Sequence, residues 1–180
     1  MLTCCSPRCL RIRHLAPGED GPLRRVFAGL SRRSRYLRYQ RAAPLLATST
    51  VTALVRLQPG THEALVAEVD DEPVGIARWI RSHADAQLAE IAVEVVDAEQ
   101  GRGIGGLLAG AAARGARDAG VDYLTFWVHA EHGRLRQRLL RLGATPVADE
   151  PGQFRLSPRA LLTADRGFAA PDSVDGIVIR

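Results

Sequence analysis

Polar and apolar residues alternate from Arg11 to Leu15, the period of a half-buried strand. A Pro- and Gly-rich turn over 17–22 follows, and then Leu23, Val26, Phe27 and Leu30 recur at helical spacing. Ser31 is placed to cap a second short helix carrying Tyr36, Leu37 and Tyr39. The apolar residues of 44–57 predict a third helix. The character then changes. Two β-rich runs, 63–69 and 73–80, are joined by the acidic turn Asp70-Asp71-Glu72 and predict an antiparallel hairpin. A third strand is expected over 88–96. A glycine-rich turn and a long helix carrying Ile104, Leu107, Leu108, Ala111, Ala112 and Ala116 come next, with Gly120 as its stop. A fourth β-rich run over 121–129, a helix over 133–142 and a strand at 154–156 complete the periodic part. Trp79 and Trp127 are expected in the core, on strands. The order places an antiparallel meander before a strand–helix–strand unit, so the class is α+β, or mixed α/β, without internal repeats. One domain is expected over 11–157, between a disordered tail at 1–10 and a C-terminal tail at 158–180 with a terminal strand at 177–179.

Composition narrows the function classes. All 24 basic residues are arginine, there is no asparagine, and 20 acidic residues are interspersed, for a net charge of +4. GC-rich codons account for the arginine bias, and the mixing of signs argues against a nucleic-acid-binding face. The densest group (Arg24, Arg25, Arg32, Arg33, Arg35, Arg38 and Arg41) reads as a solvated face, with an anionic cofactor or partner as the sharper alternative. No apolar run reaches the roughly 18 residues of a membrane span, and the start lacks the apolar core of a secretory signal. A cytoplasmic setting without membrane contact is expected. Cys4, Cys5 and Cys9 have no partners at zinc-site spacing, so no metal is expected.

The most informative segment is Asp97-Ala98-Glu99-Gln100-Gly101-Arg102-Gly103-Ile104-Gly105-Gly106, which leaves a strand and opens a helix. The first N–H groups of a helix lack internal partners, and the helix dipole adds positive charge there. Glycines allow several N–H groups to converge on a phosphate, and Arg102 supplies a cation at the mouth. Three readings compete. Gly101, Gly103 and Gly106 satisfy the dinucleotide pattern G-x-G-x-x-G. That pattern belongs after the first strand of a domain and needs an acid about 20 residues on; Asp122 begins a strand instead. A second reading makes the glycines purely structural.

The third is a resemblance. Gln100-x-x-Gly103-x-Gly105 is similar to the coenzyme A motif of the GNAT superfamily of N-acyltransferases. The order of strands and helices and the Leu142-Gly143-Ala144 stop resemble that family over roughly 11–157. The runs from Leu30, His62, Val74 and Ala89 resemble the catalytic domain of bacterial Pat-type protein lysine acetyltransferases. Several of those carry an upstream cyclic-nucleotide-binding domain; 180 residues leave no room for one, and regulation by cyclic AMP within this chain is not expected.

The resemblance implies a mostly antiparallel central sheet flanked by helices, and acetyl-CoA as cosubstrate. It puts the pantetheine along Val93, Glu94 and Val95, with a Val95 N–H polarising the thioester carbonyl, and the pyrophosphate on Gln100, Gly101, Arg102, Gly103, Ile104, Gly105 and Gly106. It implies direct attack by an amine, with Glu90 as general base. Partial burial, which favours the protonated form of a carboxyl group, is expected there. Strand alternation puts Glu94 on the same side as Glu90, so Glu94 is the reserve base; alternatively both simply share a solvent face. Where many family members have an asparagine and a tyrosine general acid, this chain has His132 and Leu139, so the thiolate is expected to leave unaided. His62 is expected to support the fold. The implied acceptor is a protein lysine, with an acyl-CoA-forming ligase as one candidate. A small-molecule amine is the first alternative, and a non-catalytic acyl-CoA-binding module the second. A monomer or a homodimer is expected.

Overall fold

The computed structural model describes residues 9–39, 42 and 44–163. Its first strand, β1 (Leu10–His14), pairs antiparallel with β2 (His62–Val69), which pairs with β3 (Glu72–Arg81), which pairs with β4 (Leu88–Val95). The β2–β3 hairpin turns through Asp70 and Asp71 at φ 52° and 65°, a two-residue loop whose left-handed residues match the twist of the flanking strands. Among the described residues the one parallel pairing joins β4 to β5 (Tyr123–Trp127). Among the described residues, antiparallel β7 (Gln153–Leu156) and the two-residue β6 (Thr145–Pro146) complete a seven-stranded sheet in the order β1-β2-β3-β4-β5-β7-β6. This is the mixed, mostly antiparallel sheet expected, flanked by the six helices of the described residues.

The helices divide between the two faces. On one face lies α4 (Ile104–Asp118), the crossover between β4 and β5. Its many alanines bring it close against Trp79, Ile91 and Leu124, all at most 3% exposed. Also on that face are Leu139 from α5 (Gly133–Arg141) and Leu161 from α6 (Pro158–Thr163). On the other face α1 (Gly21–Ala28) and α3 (Thr48–Leu54) cover Val66 and Ile76 with Leu23, Val26 and Val51. Between them in sequence, α2 (Arg32–Tyr39) buries none of its residues. Ser31 caps it as expected, accepting the Ser34 N–H at 3.1 Å.

Several expectations change. The helix expected over 44–57 is only the seven residues of α3. Residues 158–163, expected in a tail, form α6, because Pro158 and Leu161 find apolar cover on the sheet. Leu10 belongs to a strand, and Cys9 donates its N–H to Asp70 Oδ1 at 2.9 Å. Trp79 is in the core, but Trp127 is 39% exposed, because α1 and α3 cover the far strands of its face and leave β5 bare. The other tail residues, Cys4 and Cys5 among them, and the strand expected at 177–179 lie outside the described residues.

Candidate active site

The sheet opens at the parallel junction of β4 and β5. Pairing of β4 with β5 runs from Leu88↔Tyr123 to Glu90↔Thr125 and stops, although both strands continue. Backbone groups of β4 therefore lose their β5 partners beyond Glu90. The Val96 N–H bonds Val74 O and the Ser82 N–H bonds Leu88 O, so the even-numbered residues of β4 address β3. Strand alternation turns the N–H groups of Ile91, Val93 and Val95 toward the gap. A cleft of about 700 Å³ occupies it, walled by β4, the glycine turn, β5 and α2. Such an exposed ladder can pair with an extended ligand as if with another strand.

The glycine turn forms one end. After a 3-10 turn at Asp97–Glu99, Gly101 and Gly103 take φ of 78° and 85°. A Cβ on either would meet nothing within 4 Å, so the glycines serve backbone conformation and open space rather than packing. Gly103 is the N-cap of the fifteen-residue α4, and no side chain caps that end; the free N–H groups and the helix dipole suit an anion. Ile104 and Gly106 are buried beneath the turn and Gly105 sits 3.6 Å (from its would-be Cβ) off Val95. Gln100 ties the turn down, donating to Val95 O at 2.9 Å and Asp97 Oδ1 at 3.2 Å. Burial pushes the Asp97 carboxyl up, but hydrogen bonds from Ser31 and Ser34 outweigh it and hold the group below its ordinary value. Arg102 is paired with Glu99 at 3.0 Å and is absent from the cleft wall. The uncapped helix end, the open glycines and the unpaired ladder together fit a diphosphate carrying an extended amide-containing arm, which is the chemistry of coenzyme A.

Glu90 and Glu94 share a face of β4 but not an environment. Glu90 is exposed in the cleft wall where β4 and β5 part, not partly buried as expected. Among the described residues it has no hydrogen bond or ion pair, in a chain with 24 arginines. Glu94 is 5% exposed, so the shared solvent face does not exist. The difference is α2, which crosses above Glu94: Tyr39 donates its hydroxyl to Glu94 Oε2 at 3.0 Å, and Arg38 and Arg78 each approach Oε1 at 3.9 Å. Burial, and then the Glu94 carboxylate, hold the Tyr39 phenol well above its ordinary pKa, so it stays a donor. Burial works against the charge of Arg78, and Glu94 offsets it; a guanidinium has margin enough to remain charged.

The arginine group does not make one free face. Arg24 pairs with Asp20, Arg25 with Glu72 and Arg33 with Glu131, while Arg35 stacks over Phe27; Arg41 lies outside the described residues. His132 lines the cleft and precedes α5, whereas Leu139 is 2% exposed in the core. His62 is half-buried on β2, away from the cleft, with Nε2 unpartnered. Sequence reading missed Trp127 and the pairing of Tyr36 with His129, whose Nε2 lies 3.2 Å from the tyrosine hydroxyl. Parity held one clue: Phe126 and Trp127 face opposite sides, and only Phe126 packs against the α4-side core. Among the described residues no group of three or more His, Cys, Asp or Glu could hold a metal, and no helix is long and apolar enough to cross a membrane.

Comparison with known proteins agrees with this geometry. Acetyltransferase Pat of Mycolicibacterium smegmatis is 38% identical over 76 residues, 42% of this chain, and the match spans only 23% of that relative. The crystal structure of the GNAT domain of S. lividans PAT superposes with a TM-score of 0.74 at 25% identity, covering 82% of this chain and 88% of that one. YncA of Salmonella typhimurium, solved with its cofactor acetyl-CoA, shares the fold at a TM-score of 0.61 and 16% identity, over 83% of this chain and 94% of that one. The model of the acetyltransferase (GNAT) family matches residues 31–144, well over half of the length, and the chain belongs to that family of acetyl-CoA-dependent acyltransferases.

Proposed function

We propose that the protein transfers an acetyl group from acetyl-CoA to the side-chain amine of a protein lysine, with Glu90 as the general base. The observation that carries this is an exposed carboxylate, without hydrogen bond or ion pair among the described residues, standing where β4 leaves β5, with backbone N–H groups and an uncapped helix end beyond it along one cleft. An ammonium of pKa about 10.4 must lose its proton before it can attack, and Glu90 is the acceptor for it, directly or through one water. The coenzyme supplies an activated acyl carbonyl. The inward N–H groups of Val93 and Val95 hold the arm and favour the charge that develops on the carbonyl oxygen. Gly101 through Gly106 and Gln100 form the diphosphate end, and Arg102 supports it through Glu99 rather than by contact.

Two features support a lysine, the first of them over other amines. The curated relative is named Pat and the structural relative is a PAT domain. Trp127 also presents an exposed indole in the cleft that holds Glu90; an aromatic face and a carboxylate together suit an aliphatic stem ending in a cation. An acyl-CoA-forming ligase is one acceptor of this class. The test is Glu90→Gln. Turnover of a lysine acceptor should fall about 10²–10⁴-fold, the range for loss of a general base, with acetyl-CoA affinity retained. Turnover equal to wild type removes Glu90 from the mechanism. Acetyl-CoA binding without turnover of either lysine or small amines would instead establish a binding module.

A further inference from the structure

Glu94 lies four residues along β4 from the proposed base Glu90, on the same side of the strand, yet its carboxylate is turned into a buried polar knot that the acetyl-transfer reading does not use. The knot joins four elements. Glu94 on β4 accepts from Tyr39 at the end of α2 at 3.0 Å. Arg38 of α2 and Arg78 of β3 lie 3.9 Å from its other oxygen. Arg78 in turn donates to Leu54 O at the end of α3 at 3.3 Å. Glu94 and Arg78 are 5% and 3% exposed. A buried carboxylate with these partners is costly to leave half-made, because removal of one partner strands the other charge.

What the knot holds is α2. That helix has no buried residue of its own, so its hold on the domain rests on a few individual contacts: Arg35 donates to Phe27 O at 3.2 Å and stacks over the Phe27 ring, Tyr39 meets that ring edge-on, and Tyr39 and Arg38 meet Glu94. Its far side reaches across the open junction to the chain after β5, where Arg33 meets Glu131 at 3.2 Å and Tyr36 meets His129 with ring centroids 4.7 Å apart. Those contacts are exposed, and exposed pairs contribute little; the C-terminal end of α2 is the part that meets a buried carboxylate, at Glu94. The helix supplies Ser34, Leu37 and Arg38 to the cleft wall on the face that carries Glu90 and Trp127.

We infer that Glu94 is a positioning residue: it anchors α2 as the wall of the acceptor side of the cleft, and acts on acceptor binding rather than on the coenzyme or the proton. This rests on the proposed acetyl-transfer reading. The test uses the whole chain with Glu94→Ala, the gentler Glu94→Gln, which keeps an acceptor for Tyr39, and Tyr39→Phe. Amide exchange over 32–39 should rise at least about tenfold in Glu94→Ala with α4 unchanged, as for a locally released helix. Using Nα-acetyl-lysine amide as acceptor, KM should rise about tenfold, with kcat and the acetyl-CoA Kd within about threefold of wild type. Glu94→Gln should restore most of both effects, and Tyr39→Phe should lie between.

Unchanged exchange over 32–39 in Glu94→Ala overturns the anchor. So does a loss confined to kcat, which would return Glu94 to the proton path, or one confined to acetyl-CoA affinity, which would return it to the coenzyme. Released α2 with unchanged acceptor KM overturns the acceptor role. A wild-type protein that acetylates no lysine probe overturns the proposed function instead, and the exchange data still decide whether Glu94 holds the helix.

Discussion

Replacing Gly103 with alanine separates two roles that a glycine at a helix start can have. Gly103 has φ +85° and Gly120, past the other end of α4, has φ +83°; a Cβ on either meets nothing within 4 Å. Each alanine therefore carries the cost of left-handed backbone and no clash, about 1–2 kcal/mol. A kcal/mol corresponds to about 2–4 °C in a domain of this size, so both variants should melt several degrees lower, and by similar amounts. Their binding should differ. Gly103 stands on the cleft wall at the N-terminus of α4, where the added methyl enters the space of a diphosphate and the displaced backbone re-aims its N–H groups. Gly120 is outside the cleft. Calorimetric titration with acetyl-CoA should show Gly103→Ala weakened at least about tenfold, or 1.4 kcal/mol, and Gly120→Ala unchanged. Equal affinity in both variants would refute the phosphate role of the turn, whether both stayed tight or both weakened.

Three further outcomes are expected. Trp127→Ala should raise the KM for a lysine acceptor about tenfold while Trp127→Phe keeps most of the affinity, since an aromatic face over a cation contributes about 0.5–2 kcal/mol; equal kinetics in all three proteins would remove Trp127 from the acceptor site. Burial, and then Arg78, lower the pKa of His62 in the folded chain, so the unfolded chain takes up that proton first as pH falls. This contribution to stability is present above about pH 6.5 and is lost on acidification. The denaturant midpoint of the wild-type chain should thus fall more between pH 7.5 and 5.5 than that of His62→Gln, and parallel losses would contradict the assignment. Leu161 is 1% exposed on α6, so Leu161→Ala should cost about 2–5 kcal/mol in urea unfolding; a change below about 0.5 kcal/mol, the scale of a surface substitution, would place α6 outside the core.

Much of the architecture was legible because it is locally determined. Alternation specified the strands, the two aspartates at 70 and 71 tolerate the left-handed turn that closes the β2–β3 hairpin, and the glycines at 101 and 103 announced a backbone that other residues rarely adopt. The motif at Gln100-x-x-Gly103-x-Gly105 marks the proposed coenzyme site within the sequence itself, because phosphate binding needs only a few consecutive N–H groups and a helix start.

The rest depends on which distant segments meet. Periodicity puts Glu90 and Glu94 on one side of β4, but only the position of α2 leaves the first bare and buries the second against Tyr39, Arg38 and Arg78. The exposure of Trp127 follows from where α1 and α3 stop covering the sheet, and the short α6 from apolar cover that its own weak periodicity does not reveal. The cleft itself exists because β4 and β5 pair for three residues and then part. Strand pairing is a relation between segments far apart in the chain, so the alternation within each strand predicts the face of every side chain but not where the ladder ends.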